Sequence, residues 1–233
     1  MSDEPARPRR WGRIAAAAVV LLLLVSSTWW TRAAAERMAF FRVRKVEIEG
    51  ARYADPAELL ARLRVDTAAS VWAPVTPLER RVAAHPQVAS VRVERRLPGT
   101  LVVHVKEHLP VALAPGRGGL RAYDAEGRLL PLDPSKVTVD VPLVLAPDSA
   151  VLRLLGEVQV SDPGLYARIS EVRPAGRGEI VVALDRWPVR AMADLTARRL
   201  AEIYPVEDDL ARRRARVAEL DLRFRDQVIA RLQ

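Results

Sequence analysis

The stretch Gln87–Leu113, QVASVRVERRLPGTLVVHVKEHLPVAL, decides how the first half of the chain folds. Val91 and Val93 alternate with Arg92 and Glu94, and Leu101, Val103 and Val105 alternate with Val102, His104 and Lys106. A period of two in β-branched residues is the pattern of a strand with one buried face. Between the two runs, Pro98 and Gly99 stand where a type II turn takes its proline and glycine. The stretch therefore reads as a β-hairpin. It also contains His104-Val105-Lys106-Glu107-His108, a literal H-x-x-E-H, the spacing of one class of zinc proteases. On a helix the two histidines would converge. On a strand, residues four apart share a face but lie about 13 Å apart, at roughly 3.3 Å each. A single zinc ion draws its nitrogen ligands to about 2.1 Å, so the hairpin removes the protease reading. His104 is then a solvent-facing strand residue, His108 a strand-end residue, and His85 a partner for a helix C-terminus.

The segments before the hairpin complete a unit. FRVRKVEIEG (Phe41 to Gly50) alternates into a strand and turn. In DPAELLARLR, Asp55 caps a helix, Pro56 takes its first position, Glu58 completes a capping box, and Leu59, Leu60 and Leu63 form an apolar face. TPLERRVAAHP repeats the pattern, with Thr76 as cap, Pro77 first, Glu79 third, and Pro86 as the stop. The order is β-α-α-β-β.

The second half reads as strands with inserted helices. SAVLRLLGEV is a helix capped at Ser149, and DLTARRLAEIY is a helix capped at Asp194. RISEVRPAGRGEIVVALDRWPVRAM gives two or three strands around Gly176 and Gly178, and VAELDLRF with QVIARL forms a final strand pair. This is a mainly antiparallel β domain with packed helices.

At the N-terminus, RPRRWGR (Arg7 to Arg13) precedes IAAAAVVLLLLVSSTWW (Ile14 to Trp30), which carries no charge. Seventeen helical residues would be roughly 25 Å long, near the short end for a bilayer span. Trp11, Trp29 and Trp30 stand at its ends as interfacial anchors. The bulky tryptophans and Arg32 before Ala33-Ala34-Ala35 argue for an uncleaved anchor over a signal peptide. The dense N-terminal arginine cluster favours a cytoplasmic tail.

Of the 233 residues, 37 are basic and 29 acidic, for a formal charge of +8; the two signs are interleaved, so the basic stripe that nucleic acid requires is missing. Cysteine is absent and histidine occurs three times. No G-x-S-x-G, phosphate loop or clustered carboxylates occur, and the acidic residues read as caps or solvated positions. The expectation is a non-enzymatic binding protein with no cofactor, no metal and no small-molecule substrate.

A short basic tail, one anchor and a β-α-α-β-β module resemble the FtsQ/DivIB family of bacterial cell-division proteins. The module is similar to a POTRA (polypeptide-transport-associated) domain. FRVRKVEIEGARY resembles its opening. Pro86, Val88, Val91, Arg95, Pro98, Leu101, Glu107, Pro110, Val111 and Ala112 fit the family's closing pattern, with Gln87-Val88 standing where many members carry an aromatic. RAYDAEGRLLPL, with a turn at Asp124 to Gly127, and the terminal DLRFRDQV resemble the family's β domain. The boundaries implied are a cytoplasmic tail at 1–13, a transmembrane helix at 14–31, a POTRA-like domain at 41–110 and a β domain at 111–233. The fold class is α+β.

The resemblance implies a bitopic scaffold of the divisome in the cell inner membrane at the division septum, with periplasmic C-terminal domains, linking early and late division proteins during septum formation. It further implies that the last strand, with no sequence after Gln233 to cover it, pairs with FtsB-like and FtsL-like proteins. Arg223, Phe224, Asp226, Gln227, Val228, Ile229, Ala230, Arg231 and Leu232 would form that edge, with Phe224 as the aromatic contact. The alternative is a POTRA-type chaperone in envelope protein transport.

Overall fold

The computed structural model describes residues 14–24, 38–66, 68–135, 137–224 and 227–232. Residues 14–24 are helical. Among the described residues no helix is long and apolar enough to cross a membrane; the tail at 1–13 and residues 25–31 of the expected span lie outside them. The chain divides into two compact units, Met1–Lys106 and Glu107–Gln233.

The first unit carries a three-stranded sheet of β1 (Lys45–Glu49), β2 (Val88–Arg96) and β3 (Thr100–Glu107), with β3 in the centre. β1 runs parallel to β3, pairing Lys45 with Thr100 through Glu49 with His104. Two helices, α1 (Pro56–Leu63) and α2 (Thr76–Ala83), belong to the same unit. The alternation read in the sequence marks the core face, where Val93, Leu101, Val103 and Val105 join Leu59, Leu63 and Val82 in one core; Val102, on the other face of β3, is buried as well.

Local chemistry differs from the sequence reading at three places. Asp55 caps α1, its Oδ1 accepting from Ala57 N at 2.8 Å. Glu58 turns outward to Arg62 at 3.1 Å and stands 3.4 Å from His85 Nε2, so no capping box closes. Thr76 does not cap α2; it is the first helical residue, after Val75, and no side chain caps that end. Glu79 instead accepts from Val93 N at 2.9 Å, tying α2 to β2. Gly99 lacks the positive φ of a type II turn. Glycine is required there by close approach, since a Cβ would lie 2.4 Å from the Arg42 carbonyl oxygen.

The second unit is built on an eight-stranded sheet in the order β11-β10-β9-β8-β7-β6-β4-β5. Its strands are β4 (Ala112–Gly116), β5 (Gly119–Tyr123), β6 (Leu143–Val144), β7 (Ile169–Gly176), β8 (Glu179–Leu184), β9 (Pro188–Met192), β10 (Val217–Asp221) and β11 (Ile229–Leu232). Four neighbouring pairs are antiparallel and three are parallel, so the sheet is mixed where a mainly antiparallel one was expected. Two of the parallel steps are crossovers through helices, as parallel pairing requires. α3 (Ser149–Ser161) and α4 (Pro163–Ala167) connect β6 to β7; α5 (Ala197–Ala201) and α6 (Ile203–Arg213) connect β9 to β10.

The two helix caps expected in this unit are displaced by one and two residues. Asp148, not Ser149, caps α3 by accepting from Ala150 N at 2.7 Å. Thr196, not Asp194, caps α5 by accepting from Arg199 N at 3.3 Å. The helix expected over DLTARRLAEIY is divided into α5 and a separate α6 that runs on to Arg213; Pro205 lies in the first turn of α6, where a missing N–H costs nothing. The core gathers Leu152 and Leu155 of α3, Leu165 of α4, Val182 of β8, Val189 of β9, Leu200, Ile203 and Leu220.

Candidate functional site

The C-terminal end of the second sheet is where the sequence placed a binding edge. β10 sits between β9, to which it runs parallel, and β11, to which it runs antiparallel. β11 pairs with β10 alone and is the edge of the sheet among the described residues. The register sets Glu219 opposite Arg231, Leu220 opposite Ala230 and Asp221 opposite Ile229. With side chains alternating along each strand, Ala230 takes the core side and Ile229 and Arg231 the other. Val228 and Ala230 are accordingly packed against the core.

The face opposite the core carries a charge lattice. Asp221, 2% exposed, receives Arg223 Nε at 2.9 Å, Arg223 Nη2 at 2.7 Å and Arg231 Nη2 at 3.3 Å. Arg223 Nη1 also donates to Glu179 at 2.8 Å. Arg190 bridges Glu179 at 3.3 Å and Glu219 at 2.9 Å, and Glu219 stands 3.6 Å from Arg231. Six side chains from β8, β9, β10, β11 and the residue pair after β10 thus alternate in sign across the sheet. Hydrogen bonds from Arg223 hold the Asp221 carboxyl below the usual carboxylate range against the opposing effect of burial. The same partners raise Arg223, and Glu219 leads in raising Arg190.

A second device fixes the turn between β10 and β11. Arg199 of α5 donates through Nη2 to the carbonyl of Gln227 at 3.0 Å and to that of Phe224, while Nη1 holds Glu202. One guanidinium therefore satisfies backbone acceptors that the connecting turn leaves over.

Of the nine residues expected at the edge, Arg223 and Arg231 are engaged in the lattice, and Gln227 and Phe224 offer carbonyls to Arg199. Asp226 lies outside the described residues. Phe224, Ile229 and Leu232 present apolar surface at 45%, 37% and 66% exposure, so Phe224 is not a core residue. Sequence reasoning missed Glu179, Arg190, Arg199, Glu219 and Asp221. The spacing of Glu219, Asp221 and Arg223 at every second residue was visible, but their partners depend on cross-strand register. Acidic residues are also not confined to caps and solvent, since Glu107, Asp124, Glu207 and Asp221 are buried.

The histidines fall apart as a motif. His104 lies on β3 with Glu49 at 3.2 Å and Glu94 at 3.2 Å. His108 follows the strand and stands 3.4 Å from Asp124. His85 is buried just after α2 and accepts from Gln87 N through Nδ1 at 3.1 Å, so it closes a local turn. His108, Asp124 and Glu126 bring ligand-capable atoms within 4.8 Å of one another. The Arg128 guanidinium, however, lies against His108 Nε2, and Arg128 N donates to Asp124 at 2.7 Å. A cation already occupies that corner and would repel a metal ion.

Residues 41–108 match the family described as POTRA domain, FtsQ-type. Across most of its length the chain is similar to Cell division protein FtsQ of Rhodothermus marinus, 32% identical over 82% of this chain and 77% of that protein. It is likewise 32% identical to Cell division protein FtsQ of Salinibacter ruber, over 81% of this chain and 82% of that one. Cell division protein DivIB of Geobacillus kaustophilus is 24% identical over 69% of this chain and 64% of its own length. The chain therefore belongs to the FtsQ/DivIB family of bacterial cell division proteins.

Proposed function

We propose that this chain is a non-catalytic, single-pass scaffold of the divisome, with residues 1–13 cytoplasmic, residues 14–31 spanning the inner membrane, and a POTRA-like domain (41–110) and β domain (111–233) in the periplasm at the septum. It links early and late division proteins by pairing strand β11 with a strand of FtsB-like and FtsL-like partners. The observation that carries the reading is the position of β11, which among the described residues pairs with β10 alone. Such a strand offers unpaired backbone N–H and C=O groups to an incoming strand, while pockets for alternate side chains give specificity. Phe224, Ile229 and Leu232 supply apolar contact beside that edge. The lattice and the Arg199 clamp keep it in register before a partner arrives, which lowers the ordering cost of association.

The test is an N-terminal fluorescent fusion of the full chain, imaged in dividing cells beside its Ala230→Pro variant. Proline removes a backbone donor and distorts the edge. Midcell bands from both, with recruitment of the partner proteins lost only in the variant, are the expected result. A uniform envelope signal from the parent fusion would refute the division role, and unimpaired recruitment by the variant would refute the strand-pairing mechanism.

A further inference from the structure

One end of the first unit is unlike the rest of its surface. Ala39–Phe41 forms a single 3-10 turn, and the chain then enters β1. Three separate segments are tied together there by their backbones. Val71 N donates to the Phe41 carbonyl at 2.7 Å, and Arg44 N donates to the Gly99 carbonyl at 2.8 Å. The β2–β3 hairpin tip, the entry turn and the loop at Ala69–Ala73 therefore meet at one end of the sheet, while Glu49 and His104 mark the other.

At this end Met38, Phe40 and Leu97 are 53%, 58% and 53% exposed. They belong to two segments far apart in sequence. Phe40 packs edge-on against Phe41, which in turn meets Trp72 edge-on. The Arg44 guanidinium stands 5.7 Å from the Phe40 ring centre and donates to the Phe40 carbonyl at 3.2 Å. Arg42 and Lys45 are exposed beside it. From Arg37 to Val46, and again from Arg95 to Thr100, no acidic residue occurs. Glu47 reaches back to Lys45 at 2.7 Å and to Arg96 at 2.8 Å, which leaves Arg42 and Arg44 as the cations beside the apolar side chains; exposed aliphatic and aromatic side chains among such cations are the composition that lies at a lipid headgroup boundary.

Chain length says what covers this surface. Met38 lies seven residues beyond Thr31, the end of the proposed span. Even fully extended, that connection reaches no more than about 25 Å. The patch is thus held near a bilayer surface by its own chain.

We infer that the end of the first unit formed by Met38–Arg44 and the hairpin tip at Leu97 docks onto an anionic lipid bilayer, with Met38, Phe40 and Leu97 entering the headgroup region and Arg42 and Arg44 engaging lipid phosphates. The inference rests on the reading of residues 14–31 as an anchor. Docking would fix the direction in which the first unit leaves the membrane, which a flexible tether alone would not.

The absence of cysteine makes the test direct, because each introduced thiol is the only one to label. Full-length protein would carry a fluorescent probe at Leu97→Cys, Ser90→Cys or Leu22→Cys in vesicles of phosphatidylethanolamine and phosphatidylglycerol. Quenching would be read at Leu97 and Ser90 with lipids brominated near the headgroup, and at Leu22, the middle of the proposed span, with lipids brominated near the acyl-chain ends. Ser90 is exposed on β2, away from the hairpin tip. The inference expects quenching at Leu97 at least about threefold above that at Ser90, reduced by high salt, by vesicles of phosphatidylcholine, or by adding Phe40→Asp, as electrostatic and apolar attachment to a surface requires. Strong quenching at Leu22 with equal, weak quenching at Leu97 and Ser90 would overturn docking and leave the anchor standing. Absence of quenching at Leu22 would overturn the anchor itself. Quenching at Leu97 that ignores salt and lipid charge would overturn the role of Arg42 and Arg44.

Discussion

The β2–β3 hairpin of the first unit and the β10–β11 pair of the second are both antiparallel pairs at the close of a unit, yet they are held by different physics. β3 is the central strand of its sheet, and Leu101, Val103 and Val105 bury almost completely against α1 and α2. β11 is an edge, and no residue along it is fully buried. What β11 lacks in apolar burial it recovers in charge-assisted hydrogen bonds from the lattice around Asp221 and, at its entry turn, from Arg199. Burial is insensitive to pH and salt and fixes one register. A polar lattice at a surface depends on protonation and can be remade around a new strand.

The largest effects follow from burial. Leu59 and Leu155, each fully buried in its own unit, lose about 2–5 kcal/mol of stability on substitution by Ala, because removed methyl groups leave cavities that dense packing cannot close. Urea denaturation with hydrogen exchange as the residue-level readout checks this. Leu59→Ala lowers protection in the first unit and Leu155→Ala in the second. Equal loss of protection in both units from either variant would show that they unfold as one and would dissolve the comparison.

Protonation comes next. Because the folded Asp221 carboxyl titrates below its unfolded value, its contribution to stability is complete above about pH 4, the ordinary aspartate range, and fades as pH falls through the lower folded value. Amide protection in β11 is therefore flat from neutral pH to about 4 and collapses below it. Protection in β3 persists over the same range. Asp221→Asn reproduces the acid behaviour at neutral pH, since an amide keeps the shape but not the charge that Arg223 and Arg231 face.

Arg199→Ala is smaller and more local. Removing the clamp frees the carbonyls of Phe224 and Gln227 to water, and the opening free energy of β11 falls by about 1–2 kcal/mol. The denaturation midpoint of the core does not move, because Arg199, though only 17% exposed, adds no apolar side chain to the core. A drop of the same size in the whole second unit would mean that β11 is integral to its fold and not a separable edge.

Where the sequence was legible, local chemistry and periodicity coincided. The period-two run from Leu101 to Val105 reads as a strand, although Val102 on its other face is buried as well, and Asp55-Pro56 reads as the opening of a helix. The charge lattice was illegible for a geometric reason. Glu179 and Arg223 are 44 residues apart and meet only because β8, β9 and β10 are adjacent, an order no local pattern encodes. The parallel steps of the second sheet were hidden for the same reason, since alternation is the same for either direction. Gly99 shows a third limit: the residue type demanded a special backbone environment, but φ and close approach are indistinguishable until the Arg42 carbonyl is seen above it.

The helix starts give the smallest effects and the finest test of the contrast. Asp55→Ala and Asp148→Ala each remove a carboxylate that accepts from a first-turn N–H, at a cost of about 1 kcal/mol. Thr76→Ala, at a position that reads as a cap in sequence, changes stability by well under that amount, because its hydroxyl satisfies no backbone donor at the start of α2. The informative member is Asp148→Ala, which acts on α3, a helix of the core that supports the whole second sheet. If β11 opens independently, hydrogen exchange shows the loss in α3 and the central strands while β11 amides, already exchanging through local opening, keep their rates. If β11 amides accelerate with the rest, their exchange requires unfolding of the unit, and the edge is held by burial after all.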